Sequence, residues 1–237
     1  MHEFGLTRSS YRRDHLLQTP DTFVRAPLPG MNKATAVVHV APSIGARFMQ
    51  YTAEFEAGGT LAPAAVQRFF YVLEGEVLCP GHGVLHAGDY AYFPEGCETS
   101  LSATAASRAA VIEKHYQILE GAAPPVFFAG SENFIQAQPL MNDPSLAVRA
   151  LVPDGVSFDF AVNIMTYQPG ASLSMVEMHV MEHGLLMLAG SGIYRLNDCW
   201  YPVAAGDFIW MAPYCPQWFG ALGKTPAKYL IYKDWNR

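Results

Sequence analysis

The sequence predicts an all-β protein of two tandem jelly-roll barrels, and three observations carry that prediction. Short runs rich in Val, Ile, Tyr, Phe and Leu recur between Gly, Pro, Asn and Asp, the pattern of strands and turns. No stretch shows a long helical period with caps. One block of sequence also occurs twice, and repeated short strands with glycine turns close into barrels or jelly rolls.

Residues 1–35 read as an N-terminal arm. They hold no apolar signal core, and no stretch of the chain approaches ~18 uninterrupted apolar residues, so a soluble, cytoplasmic protein is expected. The first copy occupies 36–117. Val37-Val38-His39-Val40 and Phe48-Met49-Gln50-Tyr51 open it as strands. Phe70-Tyr71-Val72-Leu73-Glu74-Gly75-Glu76-Val77 then leads to Gly88-Asp89-Tyr90-Ala91-Tyr92-Phe93-Pro94, and Val111-Ile112-Glu113-Lys114 closes the copy. A connector follows over 118–157, where Pro124-Pro125 and Pro144 leave room only for short irregular elements.

The second copy runs over 158–237. Ala161-Val162-Asn163-Ile164-Met165-Thr166-Tyr167 ends at the turn Gln168-Pro169-Gly170. Leu185-Leu186-Met187-Leu188-Ala189-Gly190-Ser191-Gly192 then answers to Phe70–Val77, and Gly206-Asp207-Phe208-Ile209-Trp210-Met211-Ala212-Pro213 to Gly88–Pro94. The closing strand Leu230-Ile231-Tyr232-Lys233 puts Lys233 where Lys114 is expected in the first copy.

At 237 residues the chain holds two domains of about 100 residues each, or one large β unit. Apolar residues make up 51% and charged residues 15%, a low charge fraction that points to surface covered by self-association. The net charge is −6 with no basic cluster, which argues against nucleic acid or an anionic membrane as partner. The cysteines Cys79, Cys97, Cys199 and Cys215 are widely spaced without Cys-x-x-Cys, as free thiols in a reducing compartment.

Chemistry concentrates in Glu177-Met178-His179-Val180-Met181-Glu182-His183, followed 34 residues after His183 by Gln217. Glu177 and His179, two apart, share a face on an extended chain. One carboxylate, two imidazoles and one amide oxygen suit Mn(II) or Fe(II) with positions left open. The ordinary alternative is a polar barrel rim, but these groups facing a barrel interior are costly unless they bind something. In the first copy the corresponding residues are Ala62, Ala64, Arg68 and Thr99, which cannot hold a divalent cation. His82 and His86 fall outside the ligand positions and read as turn or surface residues. His2, His15, His39 and His115 read as structural. Glu182 adjoins a ligand and is expected to point to the other face.

The spacing Gly170, six residues, Glu177, one residue, His179, three residues, His183, then Gly190, with Gly206-Asp207, Pro213 and Gln217 after it, resembles the two cupin motifs. The duplication therefore looks like a bicupin, two double-stranded β-helix barrels. The usual cupin ligands are His, His, Glu and His. The set Glu177, His179, His183 and Gln217 departs from that and is similar to the C-terminal cupin of the (S)-ureidoglycine aminohydrolases. Gly184, Gly190-Ser191-Gly192-Ile193-Tyr194, Trp200-Tyr201-Pro202-Val203 and the ending Tyr232-Lys233-Asp234-Trp235-Asn236-Arg237 extend the likeness.

The resemblance implies one Mn(II) per chain, in the C-terminal barrel only, and hydrolysis of (S)-ureidoglycine to (S)-ureidoglycolate and ammonia in allantoin breakdown. It implies that Tyr194, Tyr229 and Lys233 contact a small ureido substrate together with Glu177 and Gln217, with Glu177 and Lys233 in catalytic roles. It further implies a homo-oligomer as large as an octamer. Two other classes compete: a metal-dependent bicupin dioxygenase or oxalate-type enzyme, which would more often carry His in place of Gln217, and a non-catalytic binding bicupin.

Overall fold

The computed structural model describes residues 6–237. In chain order its strands begin with β1 (Ser10–Tyr11), β2 (His15–Gln18), β3 (Arg25–Ala26), β4 (Met31–Val40), β5 (Met49–Leu61), β6 (Gln67–Glu74) and β7 (Glu76–Cys79). They continue with β8 (Gly83–His86), β9 (Asp89–Phe93), β10 (Leu101–Ala103), β11 (Ser107–Lys114), β12 (Phe128–Ser131), β13 (Gln138–Leu140) and β14 (Asp143–Ala150). The last seven are β15 (Phe160–Tyr167), β16 (His183–Ala189), β17 (Ser191–Leu196), β18 (Cys199–Ala204), β19 (Phe208–Met211), β20 (Gln217–Leu222) and β21 (Ala227–Asp234). Helix among the described residues is limited to single 3-10 turns such as Pro20–Thr22. None of it is long and apolar enough to cross a membrane.

The chain folds as two compact units. One holds Val24–Ile135, Leu151–Asp159 and Asn236–Arg237; the other holds residues 6–23, Gln136–Ala150 and Phe160–Trp235. The stretch read as an arm is thus divided: β2 pairs with β19 in the second unit, while β3 pairs with β4 in the first. The stretch read as a connector carries β12, β13 and β14. Pro139 sits in β13, an edge strand, where a missing N–H costs no ladder bond.

The first unit rolls one sheet, in the order β12-β9-β6-β11-β5-β10-β7-β8, around a core that includes Tyr51, Phe55, Phe70, Val72, Val77 and Val111. The second unit stacks an eight-stranded sheet, β1-β2-β19-β16-β21-β15-β14-β13, against the three strands β18-β17-β20. Its core draws Leu185, Met187, Ile209 and Ile231 from the larger sheet and Tyr194, Leu196, Val203 and Phe219 from the smaller. Strand alternation decides which residues these are. In β17, Gly192, Tyr194 and Leu196 are buried while Ser191, Ile193 and Arg195 are not.

The duplication extends to backbone detail. Gly75 and Gly190 both adopt positive φ, and a Cβ would lie 2.7 Å from the Ala106 carbonyl in the first case and 2.5 Å from the Pro226 carbonyl in the second. Register also corrects one expectation. Arg68 of β6 pairs with Phe93 and Glu113, whereas His183 of β16 pairs with Met211 and Lys233. Glu113, not Lys114, therefore stands where Lys233 stands. A one-residue offset puts a side chain on the opposite face of a strand. Lys114 accordingly forms a buried ion pair with Asp159 at 3.1 Å, away from the barrel interior.

Candidate metal centre

Glu177 and Gln217 are joined by an isolated antiparallel bridge: each backbone N–H donates to the other's carbonyl at 2.8 Å. Residues in such a pair present their side chains on the same side. The segment around Glu177 is irregular chain rather than the continuous strand the spacing suggested, yet it still brings His179 alongside. His179 Nε2 lies 3.1 Å from Glu177 Oε2, and the His179 carbonyl accepts the Tyr214 N–H at 2.7 Å. His183 opens β16, its ring centroid 5.1 Å from that of His179.

Electrostatics favour ligand chemistry here. Burial, reinforced by the Lys233 and His179 charges, pushes the His183 pKa down to about 3, so its imidazole is neutral. Its Nδ1 is buried and without a hydrogen-bond partner. An orphaned buried nitrogen is costly, and a cation at that imidazole removes the cost. The Tyr194 hydroxyl donates to Gln217 Oε1 at 3.0 Å, which orients the amide and leaves that oxygen a second lone pair. The four residues fit a hard-to-borderline divalent ion.

Lys233 pairs across the strands with His183 and shares its face with Tyr229 and Ile231. Burial lowers the Lys233 pKa, and the Glu177 carboxylate partly offsets this. Tyr229 shares a hydrogen bond of 2.9 Å with Tyr167, a residue that sequence reasoning passed over. Its signal was the alternation of β15, which places Met165 and Tyr167 together in the barrel core. Burial first, then the neighbouring hydroxyls and Glu177, raises the pKa of Tyr229 and Tyr194, so both are neutral.

The first unit builds something else at the corresponding place. Arg68 Nε donates to Glu113 Oε1 at 2.7 Å, Arg68 Nη1 to the Ala62 carbonyl at 2.8 Å, and the Tyr51 hydroxyl to Glu113 at 3.0 Å. A guanidinium thus occupies the register position of a ligand imidazole. His86 and His115 are exposed, and His39 is buried against Thr52 at 2.8 Å. His2 lies outside the described residues. Glu182 is buried and accepts the Trp210 Nε1–H at 2.9 Å.

A second cluster of ligand-type side chains was missed. Asp14, His15 and Cys215 have ligand atoms within 4.8 Å of one another. Its polar atoms are already engaged. His15 Nδ1 meets Asp14 Oδ1 and Nε2 meets the Tyr201 hydroxyl, both at 2.9 Å, and Asn197 Nδ2 donates to Asp14 Oδ2 at 2.7 Å. The partners lie up to 186 residues apart, so no local spacing could reveal them.

Comparison with known proteins agrees with the fold. A family model described as a cupin domain matches residues 163–232, and one described as an EutQ-like cupin domain matches 43–116. The chain is 40% identical to a probable (S)-ureidoglycine aminohydrolase of Oryza sativa subsp. japonica, over 98% of this chain and 77% of that one. It is also 40% identical to the (S)-ureidoglycine aminohydrolase of Arabidopsis thaliana, over 98% and 80%. The crystal structure of protein Ylba from E. coli superposes with a TM-score of 0.86 at 27% identity, covering 98% of this chain and 96% of that one. With two cupin barrels and 40% identity along nearly its whole length, the chain belongs to the (S)-ureidoglycine aminohydrolase family of bicupins.

Proposed function

We propose that this chain hydrolyses (S)-ureidoglycine to (S)-ureidoglycolate and ammonia, using one Mn(II) held in the second barrel by Glu177, His179, His183 and Gln217. Family membership supports the reaction. The observation that carries the site is the buried, unpaired His183 Nδ1 beside a carboxylate, a second imidazole and an oriented amide. Bound there, the ion would supply Lewis acidity and a template for substrate and water.

The chain's own residues do the rest. The reaction replaces the amino group on the substrate's central carbon by water's oxygen: a C–O bond forms, the C–N bond breaks, and a proton passes from water to the departing ammonia. The Lys233 ammonium pairs with the substrate carboxylate, and its burial strengthens that pairing. The neutral Tyr194 and Tyr229 hydroxyls hydrogen-bond the ureido end. Glu177 holds the proton in transit. We also propose that the enzyme works in the cytoplasm as a homo-oligomer; the exposed Met175, Val176, Met178, Val180 and Tyr214 support a surface covered by another copy. Freshly generated ureidoglycine should yield one ammonia per turnover, without oxygen uptake, and chelation should stop it. Oxygen consumption in place of ammonia release would favour the dioxygenase class instead.

A further inference from the structure

The Asp14, His15 and Cys215 cluster is wired to the metal loop rather than built for a cation of its own. The Asp14 backbone carbonyl accepts the Ala212 N–H at 2.9 Å, at the start of the loop that ends in Gln217. Its side chain accepts from Asn197 Nδ2, and the Asn197 N–H donates in turn to the Pro216 carbonyl at 2.8 Å, one residue before Gln217. Within the loop the Cys215 N–H donates to Ala212, and the Tyr214 N–H donates to the His179 carbonyl. Two links thus start at Asp14, one direct and one through Asn197, and the loop they hold is bonded to His179 and leads into Gln217.

Two further observations indicate that this loop needs external support. Tyr214 (φ +65°), inside the loop, is a left-handed residue that is not glycine, and such a conformation persists where neighbours over-determine it. Asp14 is itself held from behind. A carboxylate only accepts, so His15 Nδ1 carries the proton donated to it, and Nε2 accepts from the Tyr201 hydroxyl. Burial lowers the His15 pKa, consistent with that neutral tautomer.

We propose that Asp14 is a positioning residue for the metal centre: it holds loop 212–216, and through it His179 and Gln217, in the arrangement that binds the ion. The proposal rests on the Glu177, His179, His183 and Gln217 reading and adds the N-terminal segment to it. Outer residues that orient metal ligands change affinity by about 10–100-fold when removed.

The test is a Mn(II) titration of the full-length, chelator-stripped chain, with free ion followed by electron paramagnetic resonance well below the melting temperature. Asp14→Ala should raise the Kd at least about tenfold. Asp14→Asn, whose amide oxygen still accepts from Asn197, should recover part of the loss, and it serves if the alanine variant does not fold. Arg8→Ala is the control. It removes the bidentate Arg8–Asp207 pair on the same segment, at 2.6 and 2.9 Å, without touching the loop. It should lower the melting temperature and leave the Kd unchanged. Wild-type affinity in both Asp14 variants would overturn the proposal, as would equal weakening by Arg8→Ala. A wild-type chain that takes up no Mn(II) would overturn the site reading itself, and this proposal with it.

Discussion

His183 combines three properties that seldom coincide: it is 2% exposed, its imidazole is neutral, and one of its nitrogens has no partner. Lys233 stands directly across from it, and in the proposed reaction it is the counterion of the substrate carboxylate. Lys233→Met keeps most of the packed stem and removes the charge. It should cost about 2–4 kcal/mol in kcat/KM on ureidoglycine while metal content stays at the wild-type level. Steady-state kinetics paired with metal analysis checks this; an unchanged kcat/KM would leave Lys233 as a barrel lysine only. That these four candidate donors come together was legible because Glu177, His179 and His183 lie within one short segment and Gln217 follows Gly206-Asp207 at cupin spacing. Asp14 was illegible because hydrogen bonds, not spacing, tie it to residues nearly two hundred positions away.

At the level of elements, the strands and glycine turns followed from alternation and punctuation, while register did not. Both closing strands end in an apolar run and a lysine, so sequence alone equates Lys114 with Lys233. The neighbouring strands decide otherwise. Lys114 pairs with Gln67 on β6, one residue beyond the Arg68 and Glu113 pair, and faces Asp159. Asp159 is fully buried and also accepts from Gln67 Nε2 at 2.7 Å and the Gln117 N–H at 2.9 Å. Removing the cation strands a buried carboxylate, so Lys114→Met should destabilise the chain by about 3 kcal/mol in urea unfolding. Adding Asp159→Asn should restore much of that loss. A single Lys114→Met variant as stable as wild type would show that the pair contributes nothing. The short strands β1 to β3, β12 and β13 escaped sequence reading because they are two to four residues long, and β14 because it opens with Asp143-Pro144 and fully buries Leu146 alone, with Val148 packed against the core.

Across the whole molecule, one sequence unit has been used twice for different ends. The first copy fills its ligand position with Arg68, neutralised by Glu113 and tied to the Ala62 carbonyl, an arrangement that packs without a cation. The second keeps a carboxylate, two imidazoles and an amide, and adds an N-terminal segment whose Arg8 and Asp14 bind its strands and loops. The duplication, the all-β class and the family were legible because they rest on repeated glycines, strand periods and motif spacing. The division of the chain between the two units was not, because its boundaries follow long-range pairing. In the proposed enzyme one barrel of the two holds the metal, through His183 and its neighbours. Elemental analysis of purified wild-type and His183→Ala chains tests it most directly. One divalent ion per wild-type chain is expected, and none in a His183→Ala chain that retains its β circular dichroism. Two ions per wild-type chain, or a His183→Ala chain that keeps its ion, would contradict it.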